Sequence, residues 1–318
     1  MIRWLCFALI FVSCFSRTKN EKAVETAPAN NPVGYQWTKL LDSAEWPKSY
    51  NFQMLSLRDT IWTMHSAGNW FSADGIHWNK SSLPNSINNL AFLDYVIFKD
   101  AVYGLGYFDG NIETFTYKPT IFRSTNMKSW EKLKEQSNLP GRFFYHPFVF
   151  DGKIWIIGGE DKDRKYDDIW NSSDGMNWVR VKGNLPFGAR SNSQIVQFNN
   201  RLYLLNNDVW SSADGLTWMK ECDEIVKGQP IFGYAALVFD QKIFLLGCNR
   251  NGQFTSQVLY SEDGKQWKEM DAPWSPRGGI AATVFRDRVY MTGGKYGGTR
   301  DMPEFRYSND VWSLVKSH

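Results

Sequence analysis

The chain has 318 residues, 36 of them Lys or Arg and 33 Asp or Glu, for a formal net charge of +3. With charge this balanced and no Lys/Arg run, the footprint of a nucleic-acid or anionic-membrane binder is missing, so neither partner is expected. Fifteen Trp, 14 Tyr and 22 Phe supply a large aromatic core, enough for one big all-β domain or two ordinary ones.

Met1-Ile2-Arg3 is a short basic head, and Trp4–Val12 is an apolar run too short to span a bilayer. Residues 1–14 therefore read as a signal peptide. Its end, Phe11-Val12-Ser13-Cys14, resembles the lipobox of bacterial lipoproteins, with Phe11 where Leu is usual. The resemblance implies a lipid on Cys14 and a place in the bacterial cell envelope, at the outer membrane or on the periplasmic side. Membrane contact would then be through the lipid alone; a plain secretory signal would instead leave a secreted protein. Residues 15–33 form a tether, rich in Lys, Glu, Asn, Ala and Pro, that cannot bury enough apolar surface to order itself.

From residue 34 to the end the chain is a succession of short strands. Most units open with an apolar or alternating strand ending in Phe, at Phe98, Phe150, Phe198, Phe239 and Phe285, and the first has Leu57 there. A second strand follows each: Thr60–Met64, Ala101–Leu105, Lys153–Ile157, Arg201–Leu205, Lys242–Leu246 and Arg288–Thr292. A third strand, carrying Trp170, Trp210 or Tyr260, leads to a recurring turn. That turn is Ser, any residue, Asp-Gly, two residues, Trp. It occurs at Ser72–Trp78, Ser172–Trp178, Ser212–Trp218 and Ser261–Trp267, with a degraded copy at Ser124, Asn126 and Trp130. Asp-Gly favours a hairpin because Gly takes positive φ freely and Asp bonds neighbouring amides.

The Trp residues, expected on the fourth strand of each unit, set a period: Trp37, Trp78, Trp130, Trp178, Trp218 and Trp267 lie 40 to 52 residues apart. That matches propeller blades. Asp310-Val311-Trp312-Ser313 copies Asp208-Val209-Trp210-Ser211 but has no fourth strand after it, and Trp37 stands in a fourth-strand context with nothing before it. The expected fold is a six-bladed β-propeller of four-stranded antiparallel blades, closed by Tyr35–Leu40 pairing with the last blade.

These residues resemble a kelch-type β-propeller of the galactose-oxidase-like group common among bacterial envelope proteins. Ile154–Gly159 and Val289–Gly294 look like the kelch second strand with its Gly-Gly, and Asp208-Val209 and Asp310-Val311 look like the start of the third. Trp218 stands at the kelch Trp. Asn206-Asn207 and Gly247-Cys248 depart from the Gly-Gly, and Ser-x-Asp-Gly stands where many kelch repeats have Tyr-Asp-Pro.

Three blades place an Arg eight residues before the Phe that ends the first strand: Arg142, Arg190 and Arg277. On a propeller this offset predicts a ring of guanidiniums at one mouth of the channel, suited to carboxylate or phosphate groups, with the alternative that they only brace the blades. Tyr145, His146, Asn192 and Tyr234 share the same entrance segments and are candidate ligand contacts. No catalytic residue, cofactor or metal is indicated. His65, His77, His146 and His318 are scattered, and Glu160–Asp168 reads as a solvated loop before a calcium site. Cys222 and Cys248 are expected as thiols, with one disulfide as the alternative. The best functional reading is a monomeric, non-enzymatic envelope module binding a protein or an acidic carbohydrate. The runner-up, which the resemblance implies, is a carbohydrate-active enzyme such as a sialic-acid epimerase (mutarotase) or a glycoside hydrolase.

Overall fold

The computed structural model describes residues 34–81, 87, 90, 92–109, 114 and 116–317; the expected signal peptide, Cys14 and the expected tether lie outside them. Every regular element among the described residues is a strand. Six sheets have four antiparallel strands each. Sheet I is Gln53–Leu57, Thr60–His65, Gly68–Ser72 and Asn79–Lys80. Sheet II is Asp94–Phe98, Ala101–Asp109, Thr116–Ser124 and Glu131–Lys134. Sheet III is Phe148–Phe150, Lys153–Ile157, Ile169–Ser172 and Val179–Lys182. Sheet IV is Gln194–Phe198, Arg201–Leu205, Val209–Ser212 and Met219–Cys222. Sheet V is Ala235–Phe239, Lys242–Leu246, Val258–Ser261 and Lys268–Met270. Sheet VI joins Ala281–Phe285, Arg288–Thr292 and Val311–Lys316 to Tyr35–Leu41 from the other end of the chain, in the order first, second, third, N-terminal strand. Its register runs from Tyr35 opposite Lys316 to Leu41 opposite Val311. Two smaller ribbons are built on second-to-third connections. One pairs Cys248–Arg250 with Gln253–Thr255 and with Ile231–Phe232 from the segment entering sheet V, and the other pairs Lys295–Gly297 with Phe305–Tyr307.

The recurring turn is built from its own side chains. Ser72 Oγ accepts from the Gly75 amide at 2.8 Å, and Asp74 Oδ1 accepts from the amides of Ile76 and His77 at 2.8 Å each. Ser172/Asp174, Ser212/Asp214 and Ser261/Asp263 repeat the pattern, and so does the degraded copy, where Asn126 Oδ1 takes the amides of Lys128 and Ser129. Gly75 stands at φ 79°, where a β-carbon is penalised. In the degraded copy Met127 takes the left-handed position at φ 62° and is fully buried. One expectation is corrected by a residue. Trp78, Trp130, Trp178, Trp218 and Trp267 stand immediately before their fourth strands, because the Asp-centred turn extends through the residue ahead of the Trp. Of the six residues that set the period, only Trp37 lies within a strand.

Apolar side chains fill the space between consecutive sheets. Val102, Phe122, Leu57 and Trp62 join sheets I and II, whereas Leu105, Ile121, Ile154 and Trp178 join II and III. Ile157, Ile169, Leu202 and Leu204 join III and IV; Leu205, Val209, Ile243 and Leu245 join IV and V. Phe244, Val258, Met291 and Leu314 join V and VI, and Ile61, Trp70, Phe285 and Tyr290 join VI back to I. Each fully buried large side chain contributes roughly 1.5–3 kcal/mol, so these junctions dominate the favourable side of folding.

The first strands also meet. Those of VI and I, V and VI, IV and V, and II and III touch directly. Sheets I and II are joined by Gln53, whose Oε1 accepts from the Tyr95 amide at 2.8 Å. Gln197 Nε2 donates to the Val149 carbonyl at 2.6 Å and joins III to IV. Cys222 and Cys248 are free thiols.

Candidate functional site

The three arginines share one role within their own sheets. Arg142 donates to Asp168 Oδ1 at 2.5 Å and to the Gly158 carbonyl at 2.8 Å. Arg190 pairs with Asp208 at 2.7 Å, and Arg277 with Asp310 at 2.5 Å. Each of these carboxylates also accepts from an indole two residues on, Trp170, Trp210 or Trp312. Each unit thus clamps the segment entering a sheet to the start of its third strand. Arg142 and Arg277 are only 2% exposed. Burial pushes Asp168 and Asp208 up, but the Arg and Trp hydrogen bonds outweigh it and hold both carboxyls below the usual range. Between the two expectations, a guanidinium ring and a set of braces, the pairing of each Arg with a carboxylate of its own sheet is the arrangement of the brace.

Tyr145 and Tyr234 are pegs between sheets. Tyr145 donates to the Leu105 carbonyl at 3.0 Å and Tyr234 to the Asn206 carbonyl at 2.8 Å, each reaching the sheet before its own. Both are buried, and burial raises their phenols. His146 and Asn192 lie elsewhere, where the first strands converge.

Two repeat positions define that convergence. Six residues before the close of each first strand stand Asn51, Phe92, Phe144, Asn192, Gly233 and Gly279, every one left-handed with φ between 57° and 72°. The Asn51 amide donates to the Gly279 carbonyl, that of Gly279 to Gly233, and that of Asn192 to Phe144, so one backbone bond recurs at three junctions. Two residues further on stand Gln53, Asp94, His146, Gln194, Ala235 and Ala281. Four neighbouring sheets thus present polar side chains at the same level, and the other two present alanines. His146 Nε2 lies 2.5 Å from Gln194 Nε2, and burial lowers the imidazole to about 4, so the ring is neutral at pH 7.

Asp94 differs from its counterparts. Gln53, at the same position one sheet earlier, exchanges hydrogen bonds with the amide and carbonyl of Tyr95. The residue matching Tyr95 in the next sheet is Pro147, which has no N–H to offer. Among the described residues the Asp94 carboxylate has no side-chain hydrogen bond or ion pair, and burial raises it to about 7. The Tyr117 hydroxyl, one of the phenols that feel its charge, is buried without a hydrogen-bond partner. Gly106 leaves room for that phenol, since a β-carbon there would stand 2.4 Å from its oxygen.

Aromatic rings flank this level. Phe92 stacks on Phe143 at 5.0 Å and meets Phe144 edge-on at 5.5 Å. Across the VI–I junction Tyr50 stacks on Tyr307 at 5.5 Å, and Lys295 Nζ lies 4.5 Å from the Tyr50 ring centre and 4.7 Å from that of Phe305. Phe305 and Tyr307 remain exposed. A separate polar cavity of about 370 Å³ opens beside Arg142 and Asp168, lined also by Arg164, Tyr166, Trp170 and Arg180. In the acidic loop Asp161 accepts from the amides of Asp163 and Arg164 and from Tyr166, which satisfies its carboxylate internally.

Gln53, Asp94 and Gln194 escape a search keyed to rare or charged motifs. Counting four residues back from Leu57, Phe98 and Phe198 would have found them, as eight found the arginines.

The profile of the DUF6242 beta propeller domain family matches residues 124–227. The solved structure of YjhT aligns with a TM-score of 0.68 over 86% of this chain and 96% of that one, at 13% identity, a likeness of fold. No curated protein matches the sequence. With the four-stranded sheets, these likenesses make the fold a β-propeller.

Proposed function

We propose that the chain is a closed, six-bladed, kelch-type propeller, lipid-anchored in the bacterial envelope through Cys14, and that it is a non-catalytic binding module. Six apolar junctions in cyclic order, the last between sheets VI and I, support six blades in a closed ring. The ligand, a glycan or a protein, seats on the face where the first strands begin. One observation carries this reading: polar side chains at one repeat position, at or just ahead of the start of four adjacent first strands, flanked by the Tyr50–Tyr307 and Phe92–Phe143 stacks. Flat rings beside hydrogen-bonding groups suit sugar faces and aromatic side chains alike. Arg142, Arg190 and Arg277 serve by holding the entrance segments still.

The test is a glycan array and an envelope-protein capture, each run with the wild type and with Tyr50→Ala combined with Tyr307→Ala. Loss of the stack should weaken the recovered ligand about tenfold, at about 1.4 kcal/mol per decade, with folding intact. Undiminished binding by the folded double variant would refute the face. For the anchor, Cys14→Ala should move the protein from the membrane to the soluble fraction, and a fatty-acid label independent of Cys14 would refute lipidation.

Asp94 favours one second reading. A carboxyl raised to about 7 beside a buried phenol is suited to general acid–base work on a sugar. Turnover of any saccharide that Asp94→Asn abolishes would establish it.

A further inference from the structure

We propose that Asp94 is the specificity-determining group of the face, and that its ligand is the vicinal hydroxyl pair of a neutral saccharide. The inference rests on the binding reading above and names the chemistry of that same site.

The repeat carries it. Gln53 and Asp94 occupy one position in successive sheets, and Gln53 is satisfied by the Tyr95 main chain. At the position that matches Tyr95 the next sheet carries Pro147, which has no N–H, so the donor that the fold supplies to Gln53 is absent for a group that needs donors more. His146 and Gln194 continue the row with a neutral imidazole and an amide, which both donate and accept. The nearby cation, Arg142, is committed to Asp168 and the Gly158 carbonyl. A strongly anionic ligand would find no free guanidinium here and a carboxyl in its path. Two adjacent hydroxyls would supply the two donors that a carboxylate accepts side by side, with the sugar face against the aromatic rim.

The groups facing Asp94 are the phenols of Tyr95 on its own strand, Tyr117 from the third strand of sheet II and Tyr145 from the segment entering sheet III. Burial raises all three, so they stay neutral across the working range. Arg142 faces Tyr117 and Tyr145, and His146 titrates only near 4. Asp94 is therefore the group at this site that titrates around neutrality, ionising as pH rises through about 7. Hydroxyl donors favour the carboxylate, so binding releases a proton and tightens as pH rises, then levels off above the free-site value.

The experiment is calorimetry of the full chain with glucose, galactose, mannose, N-acetylglucosamine and their disaccharides at pH 6, 7 and 8, in buffers of differing ionisation heat. The expected result is binding of at least one sugar, about tenfold tighter at pH 8 than at pH 6, with proton release that disappears in Asp94→Asn. Pro147→Ala restores an amide at the Tyr95 position and should shift the pH dependence to lower pH while leaving the rim intact. Sugar binding with the same pH profile in Asp94→Asn overturns the proposal. So does binding of only a charged glycan or a protein through Tyr50 and Tyr307, an outcome that leaves the binding face standing. If no ligand is lost with Tyr50 and Tyr307, the face itself fails.

Discussion

The ring of Tyr290 occupies the place a side chain would need at Gly75: a β-carbon there would stand 2.1 Å from Tyr290 Cε1. Tyr290 belongs to sheet VI and Gly75 to the turn of sheet I. Tyr103 covers Gly175 and Tyr203 covers Gly264 in the same way, each ring reaching the turn of the following sheet. The second strand's third residue is thus a key, and the turn glycine is its lock.

Gly75→Ala should destabilise the protein strongly, because it combines positive φ with a clash against a packed ring. Gly152→Ala is the control: φ is 66° but nothing lies within 4 Å of the added carbon. The control should cost roughly 1–2 kcal/mol, the left-handed penalty alone, and Gly75→Ala clearly more. Equal losses in denaturant melts would show that the tyrosine yields freely.

Arg142→Met removes the buried partner of Asp168, leaving it only the half-exposed Arg180 at 3.4 Å, and should cost about 3–5 kcal/mol. Adding Asp168→Asn should recover part of that loss, since the buried charge that Arg180 alone would compensate is removed. A single substitution that melts like wild type would return the guanidinium to a ligand-binding role.

Asp94 makes stability depend on pH in a defined direction. Its folded value of about 7 exceeds the unfolded value near 3.9, so the folded state holds the proton more tightly. The associated stability is complete below about pH 4 and is lost as pH rises through 7. Asp94→Asn should therefore melt increasingly above wild type between pH 4 and 7, with a constant gap above pH 8. A gap independent of pH would show that the carboxyl titrates normally.

Removing residues 1–38 takes away half of the strand that pairs with Val311–Lys316 and leaves Trp274 without its edge-on partner Trp37, 4.1 Å away. Removing residues 1–33 touches none of this. The longer deletion should lower the melting temperature sharply and the shorter one hardly at all, and equal melting of the two would contradict ring closure.

Strand order was legible because its signals are local. Phe98 or Phe198 ends a first strand, Asp-Gly makes a turn, and the turn's own hydrogen bonds need no distant partner. The second strands Lys153–Ile157 and Lys242–Leu246 lie where alternation and flanking turns put them. The arginines were found by the same repeat logic, which left ligand ring and brace both open, because Asp168 and Asp310 lie 26 and 33 residues away and only the folded sheet brings them together. Asp94 was invisible for a related reason. A carboxylate at a strand start is unremarkable until the Gln53–Tyr95 bond shows which position supplies the donor, and that position in the next sheet is Pro147.

Hydrogen–deuterium exchange with and without the ligand recovered from the glycan array or envelope capture locates the binding face. Protection should gather on residues 50–53, 92–94, 143–146 and 192–194, the entrance segments of four neighbouring sheets. The Ser-x-Asp-Gly turns at the opposite ends of the strands should exchange as before. Protection centred on those turns, or on the outer strands around Val179 and Met219, would place the ligand elsewhere and contradict that face.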